Sequence, residues 1–268
     1  MQGGMALFRL KARDGRNPQE LAEMSEVLRL EDQAFKDRYV TTLFDVLAPG
    51  YNTFTRLFSF GMDRFWKAKL LQQGTQRIAK SPRILDIACG TGDLASPLSQ
   101  MTSAATILGL DCSLEMLREA TRRLRHTNND VCFIACDMQH LCVRNQSVVM
   151  VSIGYGLRNA GDFAQALREI ARVLKPGGVL LNLDFYRPVR RYWRELFLWY
   201  MWHAGRLAGW LWHREPMVYG YLAPSIRLYM TIPEFEAAIT AAGFQIDWRE
   251  SRLGGGVGLH VARRVMDT

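Results

Sequence analysis

"ILDIACGTGD", residues 84–93, is the stretch whose reading decides the fold. A short apolar run ends in an acid, Asp86, then turns through Gly90 and Gly92 into a second acid, Asp93. An apolar run of this length closed by glycine reads as a buried parallel strand. The turn then lies at the strand's carboxyl end, the edge at which open α/β sheets bind ligands. Gly90 and Gly92 let the backbone approach a ligand closely and adopt φ values that other residues avoid.

The same grammar repeats outward. "ATILGLD" (105–111), "VCFIACD" (131–137), "SVVMVSIGY" (147–155) and "VLLNLDFY" (179–186) read as further strands. "VCFIACD" is expected to be buried. "SLEMLREATRRLRH" (113–126) opens on Ser113 as a helix N-cap and sets Leu114, Leu117 and Leu124 along one face. "DFAQALREIARVLKPGG" (162–178) starts at Asp162, keeps Phe163, Ala166, Leu167, Ile170 and Leu174 in phase, and stops at Pro176-Gly177-Gly178. A last helix, "PEFEAAITAAGF", precedes two closing strands, "QIDWRE" and "GLHVARRV". Alternation of this kind predicts an α/β fold: a mostly parallel seven-stranded sheet with helices on both faces.

Strand ends carry acids. Asp111 closes the second strand about 20 residues after the glycines, the spacing at which a carboxylate accepts from both ribose hydroxyls. Asp137 closes the third, where an adenine edge would lie. Ala95 stands where the dinucleotide fingerprint has its third glycine. Spacing alone therefore leaves a dinucleotide and a mononucleoside such as S-adenosylmethionine both open, with helix capping as the plain alternative for each aspartate.

Composition bounds the rest. The chain has 268 residues, 49% of them hydrophobic, enough for a sizeable core. A net charge of +8 favours anionic partners: nucleic acid, anionic lipid or an acidic ligand. Five cysteines with no C-x-x-C pair argue against a disulfide framework and for a reducing cytosol. Cys132, Cys136, His140 and Cys142 are chemically suited to zinc, but their spacing matches no familiar finger, and no metal is expected. No stretch is apolar enough to span a membrane as a helix. Residues 1–37 read as an N-terminal extension with one amphipathic stretch, "PQELAEMSEVLRL". Residues 38–268 read as a single domain, with 187–230 a Trp/Arg-rich helical insertion or lid.

"ILDIACGTGD", "GLDCSLEML", "IGYGLRN" and "EIARVLKPGGVLLNLDF" together resemble the S-adenosylmethionine-dependent C-methyltransferases of ubiquinone and menaquinone biosynthesis. "LFDVLAPGYNTFTRLFSFGMDRFWK" upstream and "YGYLAPSIRLYMTIPEFEAAITAAGF" and "GGGVGLH" downstream extend the likeness over residues 38–262. "GYGLRN" and "LDFYRP" lean toward the members that act on naphthoquinones. The resemblance implies a Rossmann-like class I methyltransferase fold. It also implies a donor site in which Gly90, Gly92, Asp86 and Asp93 hold the methionine part. Asp111 with Cys112 would hold the ribose and Asp137 with Met138 the adenine, while Tyr51 and Lys67 come over the donor. Arg158 and Asn159 would face the substrate. The chain departs from the family pattern at Asn52, Thr55, Cys136 and Leu141-Cys142-Val143, which bears on the substrate side.

The chemistry this implies is methylation of a quinol ring carbon. A hydroxyl loses its proton, and the ring carbon attacks a sulfonium methyl in line. The protein must position two reactants and stabilise an oxyanion. Arg158 keeps its proton and is assigned to the phenolate. Asn159 would orient the quinol, His260 is the candidate base, and Tyr51 is counted with them as a catalytic residue.

"RRYWRELFLWYMWHAGRLAGWLWHREP" (190–216) holds five of the seven tryptophans, interleaved with arginines. Leu196, Trp199, Trp202, Leu207 and Trp210 fall on one broad helical face. Tryptophan favours the membrane interface and arginine favours anionic headgroups. The expectation is a cytoplasmic protein held peripherally on the inner membrane face, drawing a prenylated quinol from the bilayer, with homodimerisation left open. Two rivals remain at this point: a methyltransferase of the same fold acting on another hydrophobic metabolite, and an RNA methyltransferase or RNA binder suggested by the charge. The second lacks an appended RNA-binding motif and an Asn-Pro-Pro-aromatic motif after the fourth strand.

Overall fold

A computed structural model describes residues 21, 24, 32–78, 82–102, 105–125, 131–213 and 220–265. Leading into the sheet are α1 (Gln33–Leu47), α2 (Tyr51–Phe58) and α3 (Met62–Thr75). The Asp32 carboxylate caps α1 by accepting from the Phe35 N–H. A domain boundary at residue 38 would thus cut a helix. Most of the predicted amphipathic stretch lies outside the described residues, but Leu21 is buried against the cluster around Tyr39 and Leu43.

Then come β1 (Arg83–Ile87), α4 (Ala95–Met101), β2 (Thr106–Asp111), α5 (Leu114–Leu124), β3 (Val131–Ala135) and β4 (Val148–Gly154). They are followed by α6 (Phe163–Val173), β5 (Leu174–Phe185), α7 (Arg191–His213), α8 (Leu222–Leu228), α9 (Ile232–Ala241), β6 (Phe244–Arg252) and β7 (Val257–Arg264). The seven strands form one sheet in the order β3-β2-β1-β4-β5-β7-β6, parallel except for β7, which runs antiparallel between β5 and β6. The winding reverses between β1 and β4. A crevice therefore opens at their carboxyl ends, beside the glycine turn.

Alternation along β1 feeds a core on each face. Leu85 and Ile87 pack with α6 and α9 through Leu167, Ile170, Phe235 and Ile239. Ile84 packs with α3 and α4 through Trp66, Leu70, Leu71 and Leu98. Each core buries more than a dozen apolar side chains, so the sheet is sandwiched as its two-sided hydrophobicity requires.

The structure corrects four details. First, α6 ends at Val173, before Pro176. Leu174 already pairs with Val148, and Val179 pairs with Met150. Lys175 to Gly178 loop out of the ladder, with Gly177 at φ +75°. Second, Leu114 points outward, and Met116, Leu117, Ala120 and Leu124 form the buried face of α5. Third, β3 is an edge strand whose Cys132 and Ile134 are exposed. Fourth, α7 packs on α8 and the end of β5 through Phe197, Leu198, Met201, Ala223, Ile226 and Phe185, and its Ala208 packs against the cluster around Tyr39 and Val40. Of the face predicted for it, Trp202 is half-buried, while Leu196, Trp199, Leu207 and Trp210 are exposed.

Candidate active site

A cavity of about 270 Å³ occupies the crevice. One wall comes from α1, whose Asp37, Val40, Thr41 and Phe44 stand at i, i+3, i+4 and i+7 on one face. Tyr51 opens α2 and joins them. The floor is the β1 turn, at Ala88 and Gly90. Asp111 and Cys112 come from the end of β2, Cys136 to Gln139 from the end of β3, and Gly154 to Gly156, Asn159 and Ala160 from the end of β4.

Gly90 adopts φ +53°, and a Cβ there would meet nothing within 4 Å, so the backbone faces open space. Gly92, at φ +80°, does different work: it packs against Leu124 and Phe133 and does not line the cavity. Asp111 is 8% exposed. Its Oδ2 accepts from the Gly90 N–H at 2.8 Å, and its Oδ1 accepts from the Ser113 N–H at 2.9 Å. Each oxygen keeps a lone pair for a ligand hydroxyl. Burial raises its carboxyl to about 6 against these two hydrogen bonds. Asp137 is exposed at the opposite end and accepts from the Gln139 N–H at 2.8 Å, with Met138 half-buried beside it.

The other acids expected at the donor do not line the cavity. Asp86 is buried under the turn. It accepts from the Ser152 hydroxyl at 2.6 Å and the Ala95 N–H at 3.1 Å, and burial raises it to about 7. Asp93 and Lys67 line a second, more polar crevice of about 440 Å³ with Asn52 and Arg123. Lys67 Nζ bonds Asp63 at 2.8 Å and Asp93 at 3.0 Å. Burial alone would lower its ammonium, but Asp93 and Asp63 hold it above the ordinary lysine range. Arg123 bonds Asp93 at 2.8 Å and also donates to the Thr91 carbonyl, while the Asn52 amide meets the Thr91 hydroxyl. These residues brace the turn from α2, α3 and α5.

Of the expected catalytic residues, Tyr51 and Asn159 reach the cavity. Burial pushes the Tyr51 hydroxyl up to about 12, so it stays protonated and can donate. Asn159 Oδ1 accepts from the Tyr221 hydroxyl at 3.2 Å, and its Nδ2 donates to the Tyr155 carbonyl at 3.3 Å, which leaves one amide N–H. Arg158 does not line the cavity. Its guanidinium is 3% exposed, ion-paired with Asp184 and bonded to the Ser225 hydroxyl at 3.2 Å; its own N–H donates to Asp184 Oδ2 at 3.0 Å. The ammonium of Lys36 caps the Arg158 and Ala160 carbonyls at 3.0 and 2.7 Å.

His260 is the clearest correction. It is 1% exposed on β7, against Tyr186 and Phe235, with Nε2 3.3 Å from Glu236. Burial and then Arg249 lower it to about 4, and it lines neither crevice, so the imidazole is a neutral core residue. Among the described residues no group of three or more acids, histidines and cysteines could hold a metal ion; Cys136 and Cys142 bond each other through the Cys142 N–H at 3.2 Å.

Sequence reasoning missed Asp37, Thr41 and Phe44, although their helical spacing leads directly to Tyr51. It also missed Asp184, the counter-ion of Arg158, in the quoted "LDF".

The sequence profile of the ubiE/COQ5 methyltransferase family matches residues 32–264. The chain belongs to that family. It is 34% identical to the demethylmenaquinone methyltransferase of Corynebacterium urealyticum over 86% of this chain and 96% of the relative. It is 32% identical to that of Thermus thermophilus over 83% and 100%. It is 32% identical to the ubiquinone/menaquinone biosynthesis C-methyltransferase UbiE of Serratia proteamaculans over 91% and 96%. The fold is shared with the [4+2]-cyclase SpnF (TM-score 0.62, 17% identity, 86% of this chain and 97% of that one). It is shared too with an S-adenosylmethionine-dependent methyltransferase from Aquifex aeolicus (TM-score 0.53, 16% identity, 74% and 89%). As a ubiE/COQ5 methyltransferase the protein uses S-adenosylmethionine, and the cavity fits an adenosyl group. Open space stands over Gly90, a lone-pair-bearing carboxylate stands at Asp111, and an exposed acid stands at the far strand end.

Proposed function

We propose that the protein methylates a ring carbon of a prenylated naphthoquinol, of the demethylmenaquinol type, at the surface of an anionic membrane. The observation that carries this is the one cavity that Gly90, Asp111, Tyr51 and Asn159 line together, in a chain matching demethylmenaquinone methyltransferases over most of its length.

S-adenosylmethionine, when bound, supplies an electrophilic sulfonium methyl. Asp111 takes the ribose hydroxyls, with Cys112 beside it, and Asp137 and Met138 meet the adenine. Asp86 and Asp93 act from beneath and beside the turn rather than on the donor. Asp86 holds the start of α4, and Asp93, gripped by Lys67 and Arg123, fixes the turn's geometry. On the other side, the Tyr51 hydroxyl and the free Asn159 N–H donate toward the quinol oxygen as negative charge grows there. Arg158 acts through position. Its pair with Asp184 and bond to Ser225 fix the backbone that aims Asn159. The exposed aromatic face of α7 is read as the surface that rests on lipid, since no described helix is long and apolar enough to cross a membrane.

Incubation with S-adenosylmethionine and chemically reduced demethylmenaquinone should yield menaquinol and S-adenosylhomocysteine in equal amounts. Turnover of a methoxylated benzoquinol precursor with none of the naphthoquinol would move the substrate to the ubiquinone side. Turnover of neither would support another hydrophobic metabolite.

A further inference from the structure

The turn between α2 and α3 exposes an aromatic residue that the described residues do not cover. Phe60 is 78% exposed and adopts φ +51°, followed by Gly61 at φ +76°. The left-handed region is strained for a bulky side chain, and glycine is the usual residue where a helix ends this way. The turn is nevertheless ordered. The Gly61 N–H donates to the Arg56 carbonyl at 2.9 Å, and the Met62 N–H to the Ser59 carbonyl at 3.0 Å. Strain held at a side chain this exposed is a mark of function at that group. Phe65 (59% exposed) and Met62 (38%) flank Phe60 at the start of α3. Arg56 and Arg64 are exposed on either side of the turn and border the polar crevice, and among the described residues no ion pair is seen for either.

This turn has a neighbour with the same chemistry. α2 packs against α7. Along α7, Tyr192, Leu196, Trp199, His203, Leu207 and Trp210 recur at steps of three and four, giving one exposed stripe. Arg206 lies over the Trp202 ring at 5.0 Å. The other end of α2 is Tyr51, at the cavity wall. Eight residues of helix span about 12 Å, so the exposed turn is within reach of a prenyl tail leaving the cavity.

We infer that the α2–α3 turn is a second membrane-inserting element, in which Phe60 and Phe65 enter the acyl boundary while Arg56 and Arg64 meet anionic headgroups. This rests on the proposed lipid-borne substrate. Exposed arginines beside exposed aromatic tips suit a yielding anionic bilayer, which repels neither group and needs no matching surface. A second copy of this basic chain would set like charges against each other.

The test is cosedimentation of the full chain with phosphatidylcholine vesicles, with and without equimolar phosphatidylglycerol. Wild type should bind the anionic vesicles more tightly, and added salt should weaken this. Phe60→Ser combined with Phe65→Ser should cut vesicle affinity by about tenfold or more, as expected when apolar side chains stop being buried. Methyl transfer to a short-tailed, water-soluble quinol analogue should stay unchanged. Phe60→Gly supplies a readout that a structural role would not give: it relieves the left-handed strain, so the thermal midpoint should rise while vesicle affinity falls. Equal vesicle binding by wild type and the double variant overturns the inference and leaves the catalytic reading standing. A wild type that binds no vesicle but forms a dimer broken by the double variant, seen by light scattering, assigns the patch to a second copy and overturns it as well. Loss of transfer to the short-tailed analogue by wild type itself is the separate failure of the proposed function.

Discussion

Replacing Asp111 by alanine tests the donor site most directly. The carboxylate, 8% exposed, bonds the Gly90 and Ser113 N–H groups and lines the cavity. The variant removes a charged acceptor from two ribose hydroxyls and frees the Gly90 N–H in the turn beneath the ligand. Hydrogen bonds to a charged group contribute about 1.5–3 kcal/mol each. Two would give about 3–6 kcal/mol if additive. Their coupling through one side chain and the access of water to the opened site reduce this to about 2–4 kcal/mol, a loss of roughly 30- to 1000-fold in affinity. Isothermal calorimetry with S-adenosylmethionine and S-adenosylhomocysteine reads it, and circular dichroism checks the fold. The hydroxyls require the ionised form, and burial holds the free carboxyl near 6. Wild-type affinity should therefore climb as pH rises through about 6 and then level off, whereas the variant should lack that step. A folded Asp111→Ala protein that binds either ligand within threefold of wild type would refute the assignment of the ribose.

Other expectations follow from neighbouring groups. Arg158→Ala strands the Asp184 carboxylate in the core, so stability should fall by about 3–5 kcal/mol in denaturant titrations and turnover by about a hundredfold, with donor affinity little changed. Removing Asp184 as well should recover stability but not turnover; recovery of both would show that Arg158 is structural only. Asp86 titrates near 7 in the folded protein against about 4 unfolded, so the native state binds the extra proton and its stability falls as pH rises between those values. Asp86→Asn should flatten that slope in the donor-free protein's unfolding free energy, removing a change on the order of a few kcal/mol across that range, and an unchanged slope would contradict the burial argument. His260→Gln should lower the thermal midpoint yet leave the shape of the turnover–pH profile in place; a shifted profile would return His260 to the chemistry.

The sequence spoke most clearly where one local rule operated alone. Glycine between an apolar run and an acid placed the β1 turn, and Asp111 fell at the cavity because strand length is fixed by the sheet. Ser113 and Asp162 capped their helices as read. Failures came where tertiary pairing decided. Val148 captures Leu174 into the sheet, which ends α6 before its proline and expels Lys175 to Gly178. "VCFIACD" is as apolar as its neighbours, but only the strand order makes it an edge. His260 carries no local sign that Tyr186 and Phe235 will enclose it, and Arg158 none that Asp184, 26 residues away, will engage its guanidinium. Sequence spacing names the residues at strand ends; it does not say which of them turn inward.

The brace around the glycine turn ties together parts of the chain that fold far apart. Asn52 and Lys67 come from the leading helices, Arg123 from the helix after β2, and all converge on Thr91 and Asp93. Any tightening of α2 and α3 by a ligand resting on this turn must, by reciprocity, be matched by an equal effect of those helices on how well the turn receives it. Since α2 also carries Tyr51 to the cavity, one short helix joins the brace at Thr91 to the wall of the cavity.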